Sequence, residues 1–194
     1  MTLFENAGKQ NTASVIRLAV KRAIELNCDI VAASTLGVTA EALLDEAEAA
    51  GFKNKIVIVR GVSHKGVNLM KPEEKKKLEE RGATIVTAAH ALSAGERSMS
   101  MKYHGIGPLE IMADTLRMMG QGTKVAVETS VMALDADAIP FGTPVVAMGG
   151  SHRGSDTAIV VTPSYSASVL NTVINEFLCK PFDIKNPDPS MTFD

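Results

Sequence analysis

The stretch Ile30-Val31-Ala32-Ala33-Ser34-Thr35-Leu36-Gly37-Val38-Thr39-Ala40-Glu41-Ala42-Leu43-Leu44 decides how this chain is read. Its first four residues form a short apolar run of the kind that fits a strand buried on both faces. Small hydroxyl residues and a glycine follow, and the apolar spacing then turns helical. A strand that ends in Ser34, Thr35, Gly37 and Thr39 and then opens a helix makes an anion site. The glycine lets the backbone come close, the hydroxyls donate, and the first helical N–H groups lack partners and carry partial positive charge. Thr39 is placed as the helix cap, since Ser and Thr cap well, and the N–H groups after Gly37 form the cradle.

A second loop of this type, Gly149-Gly150-Ser151-His152-Arg153-Gly154-Ser155-Asp156-Thr157, follows the apolar run Val145-Val146-Ala147-Met148. Arg153 either contacts a phosphate in bidentate fashion or is a solvated surface charge. Asp156 either fixes Arg153 or accepts from a ligand hydroxyl. Gly149 and Gly150 either admit a ligand or only make a tight turn. Gly154 and Thr157 belong to the same candidate set. Arg60, Gly61, Ser63 and His64 follow another apolar run, Ile56-Val57-Ile58-Val59, and are placed to close a pocket. His64 is the histidine singled out for acid–base work, because imidazole titrates near neutrality. Glu128 and Thr129 follow Val125-Ala126-Val127, read as a strand. A carboxylate there needs exposure or a partner, so Glu128 either recognises a ligand hydroxyl or N–H, or pairs with a lysine or arginine.

Helical and strand patterns alternate along the rest of the chain. Asn11-Thr12 precedes a helix with Val15, Leu18, Ala19, Ala23 and Leu26 on one stripe, and a strand is expected over 28–33. Helices are expected over 39–50, from Pro72 to Gly82 and from Pro108 to Gly120, with proline opening and glycine closing the last two. Further strands are expected at 56–59, 84–87, 125–127, 145–147 and 159–161, and further helices at 129–138 and 166–178. The segment 90–107 is long for a connection and reads as a lid or a subunit contact, the latter implying a homo-oligomer. Strands of continuous apolar residues separated by helices predict a doubly wound α/β fold, with a mainly parallel sheet and helices on both faces. Ligands in such sheets sit beyond the C-terminal strand ends, where both glycine-rich loops fall.

At 194 residues the chain suits one domain, drawn over 1–180, with an irregular tail over 181–194 that carries Pro181, Pro187 and Pro189. A net charge of −2 offers nothing to nucleic acid or an anionic membrane. No apolar stretch approaches the roughly 20 residues that span a bilayer, and no secretory signal is visible, so a cytoplasmic location is expected. Cys28 and Cys179 stand far apart in no metal or redox spacing, and the four histidines show no i, i+4 pairing. No metal is expected.

Several stretches resemble the stand-alone prokaryotic proteins described as pyruvate kinase C-terminal-domain-like. They are Asn11-Thr12, Ser34 to Thr39, His90 with Leu92-Ser93 and Glu96-Arg97-Ser98, Val127-Glu128-Thr129 with Met132-Ala133, Ala138-Ile139-Pro140, and Gly149-Gly150 with Arg153-Gly154 and Asp156-Thr157-Ala158. The run Ile30 to Thr39 is also similar to the loop by which the C-terminal domain of pyruvate kinase holds an effector phosphate. The resemblance implies an α/β domain of that type with flavin mononucleotide (FMN) in its pocket, the phosphate on the hydroxyl-glycine loop and the ring against the later loops. It implies no reaction. Pyruvate kinase chemistry needs a (β/α)8 barrel of about 250 residues, for which this chain has no room.

Three functions compete on this basis. One is an FMN-binding protein acting as a flavin-dependent oxidoreductase. Another is a non-enzymatic sensor of a phosphorylated metabolite. The third, a hydrolase or transferase, lacks any nucleophile with an adjacent general base in the sequence. Catalytic residues stay unassigned at this level.

Overall fold

The computed structural model describes residues 1–62 and 69–184. The chain runs β1 (Thr2–Asn6), a 3-10 turn (Lys9–Asn11), α1 (Thr12–Leu26), β2 (Ile30–Ala33), α2 (Val38–Ala49), β3 (Ile56–Gly61), α3 (Pro72–Glu80) and β4 (Thr84–Ala88). It continues through α4 (Ala94–Tyr103), α5 (Pro108–Arg117), α6 (Gln121–Asp135), β5 (Val145–Gly149), β6 (Thr157–Thr162), a second 3-10 turn (Ser166–Asn171) and β7 (Val173–Asp183). The seven strands form one sheet in the order β1-β7-β6-β5-β2-β3-β4. Four strand pairs are parallel and two antiparallel, because β6 alone runs against the rest. The architecture is α/β, with a mostly parallel sheet.

Period-2 alternation along the strands sorts two apolar cores. Ile30 and Ala32 of β2, Ile58 of β3 and Met148 of β5 point to one face, where they meet Val15 and Ala19 of α1, Leu43 of α2 and Leu78 of α3. Val31, Val57, Val59 and Ala147 point to the other face, against Ala113 and Leu116 of α5 and Ala126, Val127 and Ala133 of α6. Both faces are covered, which is why these strands read as unbroken apolar runs. No described helix is long and apolar enough to cross a membrane.

Four expectations are corrected. Val125-Ala126-Val127 is no strand and 129–138 no separate helix, since both belong to α6. A short apolar run does not distinguish a strand from a buried helix turn, and α6 is buried around nearly its whole circumference. The expected helix over 166–178 is a 3-10 turn followed by β7. Its apolar residues fit both periods, and pairing with β6 and β1, aided by the β-branched Thr172, Val173 and Ile174, decides for strand. Pro181 does not begin an irregular tail either, because β7 continues through it to Asp183. Pro181 lies beyond the β6 ladder, which ends at Cys179, and faces Phe4 of β1, so its missing N–H removes no bond to β6. The segment 90–107 is largely helical, holding α4. One element had no sequence signal, the edge strand β1, which pairs with β7 from Thr2↔Cys179 to Asn6↔Asp183. Residues 185–194, expected as tail, lie outside the described residues.

Candidate functional site

The chain order reverses at β2. From there the sheet grows outward through β3 and β4, and the chain then returns to lay β5 on the other side of β2. The connections leaving β2 and β5 diverge at this point, and a crevice opens beyond the strand ends. It is a cavity of about 820 Å³, lined from six directions. Ser34, Thr35, Leu36, Val38 and Thr39 follow β2, and Arg60 and Gly61 end β3. His90 follows β4, Gln121, Val125, Glu128, Thr129 and Met132 come from α6, and Gly150 to Gly154 follow β5. Lys9, Gln10 and Thr12 close the side next to α1.

The β2 loop is built as a helix start. Gly37 is the N-cap of α2 and holds φ +100°, a conformation that costs a side-chain-bearing residue but not glycine. This corrects the placement of Thr39 as cap. Thr39 is the second residue of the helix, buried, and lines the cavity. The capping contact comes instead from Ser34, whose Oγ accepts the Ala40 N–H at 3.4 Å. Among the described residues, no protein acceptor meets the N–H groups of Val38 and Thr39. Those two donors, at the positive end of a twelve-residue helix, border the cavity. Gly37 itself does not line the cavity. A Cβ there would meet Glu74 Cγ at 2.7 Å, so the position faces α3.

The β5 loop divides into a cavity-facing part and a buried anchor. Gly150, Ser151, His152, Arg153 and Gly154 line the cavity, and Arg153 is exposed. Asp156 and Thr157 do not, and this corrects their reading as ligand contacts. Asp156 is fully buried and accepts from Gly8 N (3.1 Å), Ser151 N (3.2 Å), Ser151 Oγ (2.6 Å) and Thr157 Oγ1 (2.9 Å). Its partners are Gly8, Ser151 and Thr157, and Arg153 is not among them. Asp156 ties the loop to the chain's first turn. Gly154, at φ +72°, packs on Lys9 and Thr12, and Ser155 N donates to Thr12 Oγ1 at 3.0 Å. Gly149 is corrected as well: its role is to let α6 lie directly on β5, since a Cβ would fall onto the Gly122 carbonyl oxygen and 2.8 Å from Ala126 N.

Glu128 is not at a strand end. It lies inside α6, almost fully buried, and its carboxylate gathers three donors. Oε1 accepts the Leu92 N–H at 3.1 Å, while Oε2 accepts Lys124 Nζ at 2.5 Å and lies 3.0 Å from His90 Nδ1. Of the two readings of this residue, ion pairing is present, and the carboxylate also borders the cavity. Burial opposes its ionisation, but the His90 hydrogen bond and the Lys124 charge overcome that and bring its pKa from 4.5 down to about 2. Burial also pushes Lys124 below the ordinary lysine value, by more than the carboxylate restores. Thr129 lines the cavity with its hydroxyl donated to the Val125 carbonyl at 2.9 Å, and Arg60 spends Nε on Thr87 Oγ1 at 2.7 Å.

The shift on Glu128 has a measurable sign. Its folded pKa lies below its unfolded one, so its contribution is complete above pH 4.5 and is lost as pH falls towards about 2. The stability difference between the wild-type protein and Glu128→Gln, from denaturant titrations at successive pH values, is expected to narrow across that interval. A difference that stays constant there would contradict the burial and pairing of this carboxylate.

His64 lies outside the described residues, so its candidacy cannot be placed. Of the two histidines that line the cavity, His152 and His90, the one paired with a carboxylate is His90. It stood in the sequence among residues carrying the resemblance, but no local pattern linked it to Glu128, 38 positions away. Lys124, at i−4 from Glu128 on what is a helix, carried a readable pairing signal that the strand assignment hid. Lys9, Gln10 and Gln121 carried none. Among the described residues, no group of three or more His, Cys, Asp or Glu could hold a metal.

No protein-family model matches the chain. Among solved structures it is similar to O-ureido-L-serine synthase, with 18% identity and a TM-score of 0.28 over 66% of this chain and 40% of that one. The chain therefore spans well under half the length of that protein. At this level of likeness, function rests on the cavity's own residues.

Proposed function

We propose that this protein binds a phosphorylated small molecule at the switch point of its sheet, that FMN is the ligand, and that it is a relative of the pyruvate kinase C-terminal-domain-like proteins it resembles. The observation that carries the reading is the pair of N–H groups at the start of α2, Val38 and Thr39, that meet no acceptor among the described residues and belong to residues lining the cavity. The donor set fits the remainder of such a ligand. Arg60, Arg153 and Lys9 supply cationic or multidentate donors, Gly150 and Gly154 admit close approach, and Val125 and Met132 offer apolar surface for a ring. The volume is in the range of small-molecule sites, roughly 300–1,000 Å³.

A flavin bound there would supply hydride or electron transfer, and the protein's share would be orientation, exclusion of water and local electrostatics. In this reading Val38, Thr39 and Ser34 hold the phosphate end. Glu128, Thr129 and His90 present polar groups to the body of the ligand. The reaction class is oxidoreduction.

Paired titrations with FMN and riboflavin test this reading. Gly37→Val forces a β-branched residue to φ +100° and into Glu74, so the turn before α2 must re-form and Val38 and Thr39 N–H must move. The variant is expected to lose FMN affinity while riboflavin, which lacks the phosphate, binds nearly as before. Equal losses for both ligands, or wild-type protein that binds neither, would overturn the proposal.

A further inference from the structure

We infer that His90 is the acid–base residue of this cavity, held in one tautomer by Glu128 and Lys124, and that the ligand presents it with an exchangeable N–H or O–H proton. The inference rests on the cavity being the ligand site, and adds a proton-transfer function to it.

The geometry assigns the two imidazole nitrogens different roles. Nδ1 lies 3.0 Å from a carboxylate oxygen of Glu128. That oxygen belongs to an ionised group and only accepts, so Nδ1 carries the proton. In the neutral ring Nε2 is then bare. The imidazole is half exposed where it borders the cavity, while the carboxylate behind it is buried. Gly61 completes the arrangement, since a Cβ at that position would fall against Nε2. The end of β3 lacks a side chain at the place where the imidazole needs room.

Glu128 is itself immobilised, which separates this contact from an incidental surface pair. It is fixed by Leu92 N on one oxygen and by Lys124 on the other, and all three partners converge from two segments, α6 and the turn after β4. Lys124 is only 5% exposed, so its charge is committed to this carboxylate. Such a carboxylate orients a histidine and stabilises the imidazolium that forms when Nε2 takes a proton. The step balances without a further reactant. The Nε2 lone pair accepts the proton of a ligand N–H or O–H, the ligand keeps the bonding pair as an anion, and the reverse transfer restores both. Lys124 and Glu128 are positioning residues and His90 is the group that meets the ligand.

Long-range proton–nitrogen correlation spectra of the histidine rings in the full chain, without ligand, test the first half. Neutral His90 is expected as the Nδ1–H tautomer with a bare Nε2. In Glu128→Gln that preference is expected to disappear, and in Glu128→Asp to persist in part. A neutral His90 in the Nε2–H tautomer, or one whose tautomer ignores Glu128→Gln, would overturn the inference. Acylation by diethyl pyrocarbonate, followed by peptide mass spectrometry, tests the second half. His90 is expected to react severalfold faster than the exposed His104, which lies outside the cavity lining, and saturating FMN is expected to suppress the reaction of His90 but not that of His104. FMN that binds, by fluorescence quenching, yet leaves His90 reactive would overturn the inference. A wild-type protein that binds no FMN but keeps the His90 tautomer and reactivity would instead overturn the FMN reading and support the acid–base role.

Discussion

Gly149→Ala is expected to destabilise the protein by about 3 kcal/mol or more, or to prevent folding, although it adds one methyl group. The new Cβ would fall onto the Gly122 carbonyl oxygen and lie 2.8 Å from Ala126 N, both backbone atoms of α6. A flexible side chain could turn away from such a clash, but a helix backbone cannot. The whole of α6 would have to lift from β5, and α6 buries Ala126, Val127, Val131, Met132, Ala133 and Leu134 in the core. Close packing transmits that displacement rather than absorbing it. Gly95→Ala is the control, because nothing lies within 4 Å of its added methyl and the site is in helix α4. Alanine there is expected to be neutral or to stabilise by up to about 1 kcal/mol. Chemical denaturation of the three proteins decides the matter, and a Gly149→Ala protein as stable as wild type would mean that α6 and β5 are not packed backbone to backbone.

Lys124→Met is expected to cost about 3–5 kcal/mol, the range for stranding a buried charge. The ammonium and the Glu128 carboxylate are both almost inaccessible, with side-chain exposures of 5% and 2%. Without Lys124 the carboxylate keeps only the Leu92 N–H and the His90 imidazole. Removing the negative charge as well should recover much of the loss. Lys124→Met combined with Glu128→Gln is therefore expected to be more stable than Lys124→Met alone, which is strongly non-additive behaviour for two contacting residues. Additive losses in the double variant would show that the pair does not share one buried site.

The fold was legible where burial and periodicity agreed. β2, α2, β3, α3 and β4 follow a strand–helix alternation with proline and glycine at the helix ends, and they appear within a few residues of the expected bounds. Legibility failed where burial removed the polar face that defines a period. Val125-Ala126-Val127 belongs to a helix with no exposed stripe, so it looked like a strand, and Glu128 was put at a strand end as a result. It failed again at β7, where local spacing was ambiguous and the pairing partners lie far away in sequence, at β1 and β6.

The site divides in the same way. Backbone conformation can be read from glycines and hydroxyls, and the loop from Ser34 to Thr39 starts α2 beside the cavity as such a sequence should. The division of labour within each loop could not be read. Gly37 and Gly149 serve packing against Glu74 and α6, while Asp156 serves as an anchor for Gly8 and Ser151. Nothing local in the sequence separates those roles from ligand contact, because each depends on a segment distant along the chain. The His90–Glu128 pair was hidden for the same reason.

An experimental structure of the protein with FMN is the most direct test of where the phosphate sits. The account predicts phosphate oxygens within hydrogen-bonding distance of Val38 N and Thr39 N, with the Thr39 hydroxyl beside them and the ring system in the cavity towards α6. A phosphate held instead by Lys9 and Arg153, with the start of α2 left in contact with solvent, would contradict it.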